Sequence, residues 1–198
     1  MKKMVFKKEL EEKKKKNQRL MTVFIVGIMA LSTLGFALSY SNPGEKIKYG
    51  SIKFYKTEKG WNPKGYNILT SYLPQDVENF SFLKKNEFDL NPFHNKVYLI
   101  SPPYLRNYAS EFFYNIPTRN LQYACLEKDA NLSYCLDLPL KNCNDSSYEN
   151  AMLIIEESQI ENESSMEYSN YCLKIKGHES DIIKFIDRFI FSVYGIME

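Results

Sequence analysis

The chain has 198 residues, 44% hydrophobic and 15% aromatic, which excludes a disordered chain and leaves room for one ordinary domain plus an appendage. Its net charge of +2 is unevenly spread: residues 1–19 carry nine Lys/Arg against three Glu, and the remainder nets −4. A basic arm on a mildly acidic body argues against nucleic-acid binding by the body, which needs a concentrated positive face.

The arm, residues 1–19, holds a lysine cluster (Lys13, Lys14, Lys15 and Lys16) and is followed by LMTVFIVGIMALSTLGFALSYS, Leu20 to Ser41, which holds no charge. At 1.5 Å rise per residue, about 20 apolar residues cross the roughly 30 Å hydrocarbon core, so residues 20–41 are expected to form a transmembrane helix. The basic residues precede the run, so the N-terminus is expected in the cytoplasm and the rest outside. The lysine cluster fixes that topology and suits anionic head groups. Ala37-Leu38-Ser39 resembles a signal-peptidase site, but the run is longer than a signal peptide's apolar region, which favours an uncleaved anchor. Gly27, Ala30, Ser32 and Gly35 would let a partner helix approach closely.

Residues 42–48, opening on Asn42-Pro43-Gly44, read as a linker, and 49–198 as one domain. SIKFYKT (51–57) reads as a strand, with Glu58-Lys59-Gly60 as a turn and Trp61 opening the return. YNILTSY (66–72) is strand-like, Pro74 favours a short helix over 73–80, and 84–95 reads as irregular. KVYLIS (96–101) is a buried strand, YLRNYASEFFYNI (104–116) a helix with Leu105, Tyr108, Ala109, Phe112 and Ile116 on one face, and LQYACL (121–126) a strand. Strand, helix, strand predicts parallel pairing. Residues 152–158 and 171–177 are further strands. The chain ends in a helix with Ser180 as N-cap, placing Ile182, Phe185, Ile186, Phe189, Val193 and Ile196 toward the sheet and Asp181, Lys184, Asp187 and Arg188 away from it. The fold class is thus α/β: a mixed sheet with at least one βαβ crossover and a C-terminal helix packed on it, preceded by one transmembrane helix.

Cys125, Cys135, Cys143 and Cys172 lack the close pairs that zinc sites or thioredoxin-type redox centres need. Outside the membrane an even count predicts two disulfides. Of three connectivities, local loop closure favours Cys135–Cys143 with Cys125–Cys172. His94 and His178 have no partner at metal-ligand spacing, and the nucleophile-elbow and glycine-rich nucleotide-binding patterns are absent. No cofactor, metal or catalytic residue is therefore assigned, and Glu156-Glu157, ending a strand, offers an acid pair but reads as solvated charge, the commoner outcome for such a pair. Asn79, Asn131, Asn144 and Asn162 each begin an Asn-x-Ser sequon for surface glycosylation.

The basic arm and apolar run, YGSIKFYKTEKGW (49–61), YLPQDVENF (72–80), the cysteines around Asp137–Leu140, the cysteine on a late strand and DRFIFSVYGIM (187–197) together resemble single-span proteins of unknown function predicted from archaeal genomes. The resemblance covers most of the outer domain and implies a membrane-anchored extracytoplasmic domain without assigning a catalytic residue. The expected function is a membrane-anchored binding or envelope-organising module. Its expected partners are the lipid bilayer and other membrane or envelope proteins. The rivals are an extracytoplasmic enzyme without a recognisable motif and an accessory subunit of a membrane complex.

Overall fold

The computed structural model describes residues 16–32, 45–85, 91–158 and 163–197. The chain divides into two compact units, Met1–Gly44 and Glu45–Glu198. In the first, residues 16–32 form a helix, α1, exposed along its whole length. Among the described residues no helix is long and apolar enough to cross a membrane. Residues 20–32 of the apolar run belong to α1; residues 33–41 of the expected span lie outside the described residues.

The second unit holds two sheets. β1 (Lys46–Tyr49), β2 (Ile52–Thr57) and β3 (Gly60–Pro63) form an antiparallel meander. β1 takes in residues 46–48, which composition placed in the linker. Its alternation of exposed Lys46 and Lys48 with half-buried Ile47 and Tyr49 is strand-like, but the run is too short to be distinctive.

The larger sheet contains β4 (Phe82–Lys85), β5 (Lys96–Ile100), β6 (Asn120–Ala124), β7 (Asn150–Glu157), β8 (Ser165–Ser169) and β9 (Cys172–Gly177), in the order β4-β8-β9-β7-β5-β6. β6, β5, β7 and β9 run parallel, β8 is antiparallel to β9, and β4 is parallel to β8. α2 (Asn91–Asn95) precedes β5, α3 (Ala109–Asn115) makes the crossover from β5 to β6, and α4 (Glu179–Val193) closes the chain.

Each face of this sheet is covered differently. Val97, Leu99, Ala151, Leu153, Ile155, Leu173 and Ile175 point into the main core against α2, α3, α4 and Phe54 of the meander. Phe189 of α4 sits among Phe93, Phe112 and Tyr168, with ring centroids 5.7–6.2 Å apart. On the opposite face Ile100, Ala124, Met152, Ile154 and Cys172 form a smaller core. β7 is buried on both faces, which explains its unbroken apolar run.

Several expectations are corrected. Residues 66–69 do not form a strand; only Thr70 makes an isolated bridge, to Trp61. Residues 84–95 are not irregular throughout, since β4 and α2 take part of them. The crossover helix is shorter than expected, because a 3-10 turn at Pro103–Leu105 precedes α3. α4 is N-capped at His178 rather than Ser180, and its Asp187 and Arg188 are buried. That helix is covered on two sides, by the sheet and by α3 with the 3-10 turn at Pro74–Asp76, so it has little solvated face left.

Candidate functional site

The four cysteines form two disulfides, but the pairing is Cys125–Cys135 and Cys143–Cys172, correcting the expected one. The parallel register is the reason. Ala124 aligns through Ile100 and Ile154 with Lys174, so Cys125 and Cys172 lie at opposite ends of strands three positions apart. Three strand spacings amount to about 14 Å, well beyond the roughly 7 Å that a disulfide tolerates between Cα atoms. Instead, 3-10 turns at Glu127–Asp129 and Ser133–Cys135 fold the chain back, bringing Cys135 within 5.8 Å of Cys125 between Cα atoms. Residues 139–141 then lie alongside Cys125, through Cys125 N–H to the Pro139 carbonyl (3.0 Å) and Lys141 N–H to the Cys125 carbonyl (2.8 Å). From there the chain reaches Cys143, tied to Cys172 at the start of β9.

The same register opens a cleft. The connection leaving β5 goes to β6 on one side, while β7 leads on toward β8 and β9 on the other. Neighbouring parallel strands whose exits diverge leave a crevice at their carboxyl ends, where α/β sheets take ligands. Here the crevice is a cavity of about 160 Å³. Its floor is Ile100 at the end of β5 with Ser101 and Pro102 beyond it, one wall is Ile155, Glu156 and Glu157 of β7, and the roof is the loop closed by Cys125–Cys135.

Its polar groups are organised. Glu156 accepts from Lys174 at 3.0 Å on one oxygen and from Lys128 on the other. Burial pushes the Glu156 carboxyl up, but the two lysines more than offset this and hold it below its ordinary value. Tyr104 donates to Glu157 at 2.7 Å, and that hydrogen bond, aided by burial and the carboxylate charge, raises the phenol to about 12. Burial, then the charge of Asp129, likewise raises Tyr134, on the roof. Arg106 braces the floor, donating to the Ser101 carbonyl (3.4 Å) while its guanidinium lies 4.2 Å from the Tyr123 ring centre.

Carboxylates, phenols and an ammonium group converging on a small cavity can hold and orient a polar ligand. In the lining, the Ser101 hydroxyl donates to the Pro102 carbonyl and Cys125 is oxidised, so neither is paired with a base. His94 is hydrogen-bonded to the Pro117 carbonyl at the amino end of β5, and His178 lies beside Ser180 at the start of α4. Among the described residues no group of three His, Cys, Asp or Glu is placed to hold a metal ion. A larger hollow of about 420 Å³ lies between the β2–β3 turn and Tyr114, but it brings fewer ionised groups together, chiefly the exposed Glu58 and Lys59 of the hairpin tip.

Of the sequon residues, Asn79, Asn131 and Asn144 are exposed and Asn162 lies outside the described residues. Lys13, Lys14 and Lys15 also lie outside them, while Lys16 is exposed on α1. Glu156-Glu157 is not free solvated charge: both carboxylates are engaged, and Glu156 is half-buried. Tyr104, Lys128, Asp129 and Tyr134 carry no motif in the sequence, because they converge only once the sheet and the disulfide loop have formed. No family model, curated protein or solved structure matches the chain.

Proposed function

We propose that this chain is a membrane-anchored extracytoplasmic binding module that takes a small polar ligand in the cleft at the carboxyl ends of β5, β6 and β7. The oxidised Cys125–Cys135 loop roofing the cleft carries this reading, because it ties an oxidising compartment to the shape of the site. The charge-free run Leu20–Ser41 behind nine basic residues supports an anchor with the N-terminus in the cytoplasm. On this reading the chain belongs with the archaeal single-span proteins it resembles. Glu157 and Asp129 favour a ligand that offers hydrogen-bond donors, and Tyr104 and Tyr134 give it aromatic walls.

The test is a ligand screen on the full chain in detergent micelles, using amino acids, short amines, sugars and small carboxylates and following tyrosine ring signals. A true ligand moves Tyr104 and Tyr134, and Glu157→Gln weakens its binding about tenfold, the size of a lost charge-assisted hydrogen bond. If no compound moves those rings, or if ligands move only Tyr114 beside the second hollow, the cleft is not the binding site.

A further inference from the structure

Three side chains on two helices hold residues 69–72, a stretch whose strand pairing is limited to the single Trp61–Thr70 bridge. Asn115 of α3 accepts from the Leu69 amide and donates to the Leu69 carbonyl, both at 2.7 Å. Glu111, one turn earlier on α3, accepts from the Ser71 amide at 2.6 Å and the Ser71 hydroxyl at 2.9 Å. Asp187 of α4 accepts from the Tyr72 amide at 2.8 Å. Together these bonds fasten residues 69–72, and through the Trp61–Thr70 bridge the meander, to the helices.

Asp187 is fully buried. Its Oδ2 is used by Tyr72, while Oδ1 makes no hydrogen bond; the nearby Ser71 amide, which Glu111 holds, favours the ionised form only weakly against burial. The charged group acting on it is Glu111. Other neighbours turn elsewhere. Asp76, in the 3-10 turn against α4, accepts from the Leu73 amide; Lys184 faces Asp181 at 3.5 Å and lies over the Tyr72 and Phe80 rings; Arg188 donates to Ser192. As a carboxylate, Asp187 would place an unsolvated charge beside a second one, with one oxygen bare. As a carboxylic acid it can donate to Glu111, whose oxygens hold the Ser71 amide and hydroxyl next to the Tyr72 amide that Asp187 holds. Burial first, then the Glu111 charge, raise the Asp187 carboxyl well above its ordinary value.

We propose that Asp187 and Glu111 form a proton-operated clasp: with one proton between them they fasten residues 69–72 to α3 and α4, and loss of that proton loosens this segment. The closed form binds a proton that the open form releases. The clasp is therefore strongest below the ordinary carboxylate value and weakens as pH rises toward the folded value of Asp187. Glu156 behaves oppositely: its folded value is lowered, so its contribution is present above the ordinary carboxylate value and fades as pH falls. Global stability mixes the two effects, so a local readout is required. An extracytoplasmic domain would expose the clasp to the pH of its surroundings.

The experiment is native-state amide hydrogen exchange on the full chain across pH, corrected for intrinsic exchange rates, comparing residues 69–73 with the core of α4. Between the open and closed values of Asp187, one proton of linkage predicts about a tenfold gain in the opening constant of 69–73 per pH unit. Asp187→Asn keeps a donor toward Glu111 and an acceptor for Tyr72, so its opening should not vary with pH. Glu111→Gln removes the neighbouring charge and should end the pH-dependent window at a lower pH. The same slope in Asp187→Asn, a flat wild-type profile, or an unchanged window in Glu111→Gln would overturn the clasp. The wild-type slope and the Glu111→Gln window decide the matter even if Asp187→Asn folds poorly.

Discussion

Gly60 has φ +144°, a conformation that side-chain-bearing residues rarely adopt, and a Cβ there would drive into the Thr70 carbonyl oxygen. That carbonyl accepts from the Trp61 amide at 2.7 Å, so the clash would fall on the bridge joining the meander to residues 69–72. Gly60→Ala should cost about 2 kcal/mol, read as a lower denaturation midpoint with an unchanged slope. The turn around Gly60 was legible in Glu58-Lys59-Gly60; its close approach to Thr70 was not, because residues ten apart reveal their contact only in three dimensions. Asp187 teaches the same lesson. Helical spacing put it on the polar face of α4, and that face is half-exposed at Asp181 and Lys184 but buried at Asp187 and Arg188.

At the scale of elements, the disulfide segment does the work that helices do on the other face of the sheet. Residues 125–149 are mostly turns and 3-10 pieces, with few buried side chains of their own, yet they lie over Ile100, Met152 and Ile154. Covalent ties take the place of the apolar area such a segment cannot bury. Replacing Cys143 and Cys172 together by Ser should cost about 3 kcal/mol in chemical denaturation and increase binding of a hydrophobic dye as that face opens. Four cysteines without close pairs read correctly as disulfides. Their connectivity depended on strand order, which local spacing does not carry. The β8–β9 hairpin was half hidden for another reason. Its turn uses Asn170 and Tyr171, both at positive φ (48° and 61°), and Tyr171 is not a residue that announces such a turn. In β8 only Met166 and Tyr168 are apolar and buried, too few to stand out.

For the whole molecule, compartment matters as much as fold, since a cleft roofed by a disulfide needs an oxidising environment to keep its shape. A single cysteine placed at the exposed Tyr148 should react with a membrane-impermeant maleimide in intact cells, because the native thiols are paired. Labelling that appears only after lysis would place the domain in the cytoplasm and remove the basis of the anchored, extracytoplasmic reading.

The sequence by itself determined the local periods: the strands at 52–57, 96–100 and 172–177, the crossover to β6 and the amphipathic C-terminal helix all follow from side chains a few residues apart. It also determined the oxidation state expected of the cysteines, through the charge asymmetry around one apolar run. Tertiary structure alone decided the disulfide partners, the cleft between the diverging exits of β5 and β7, and the burial of Asp187 against Glu111. Each of these rests on residues far apart in the chain, brought together by strand order and register, and neither order nor register is encoded in local periodicity.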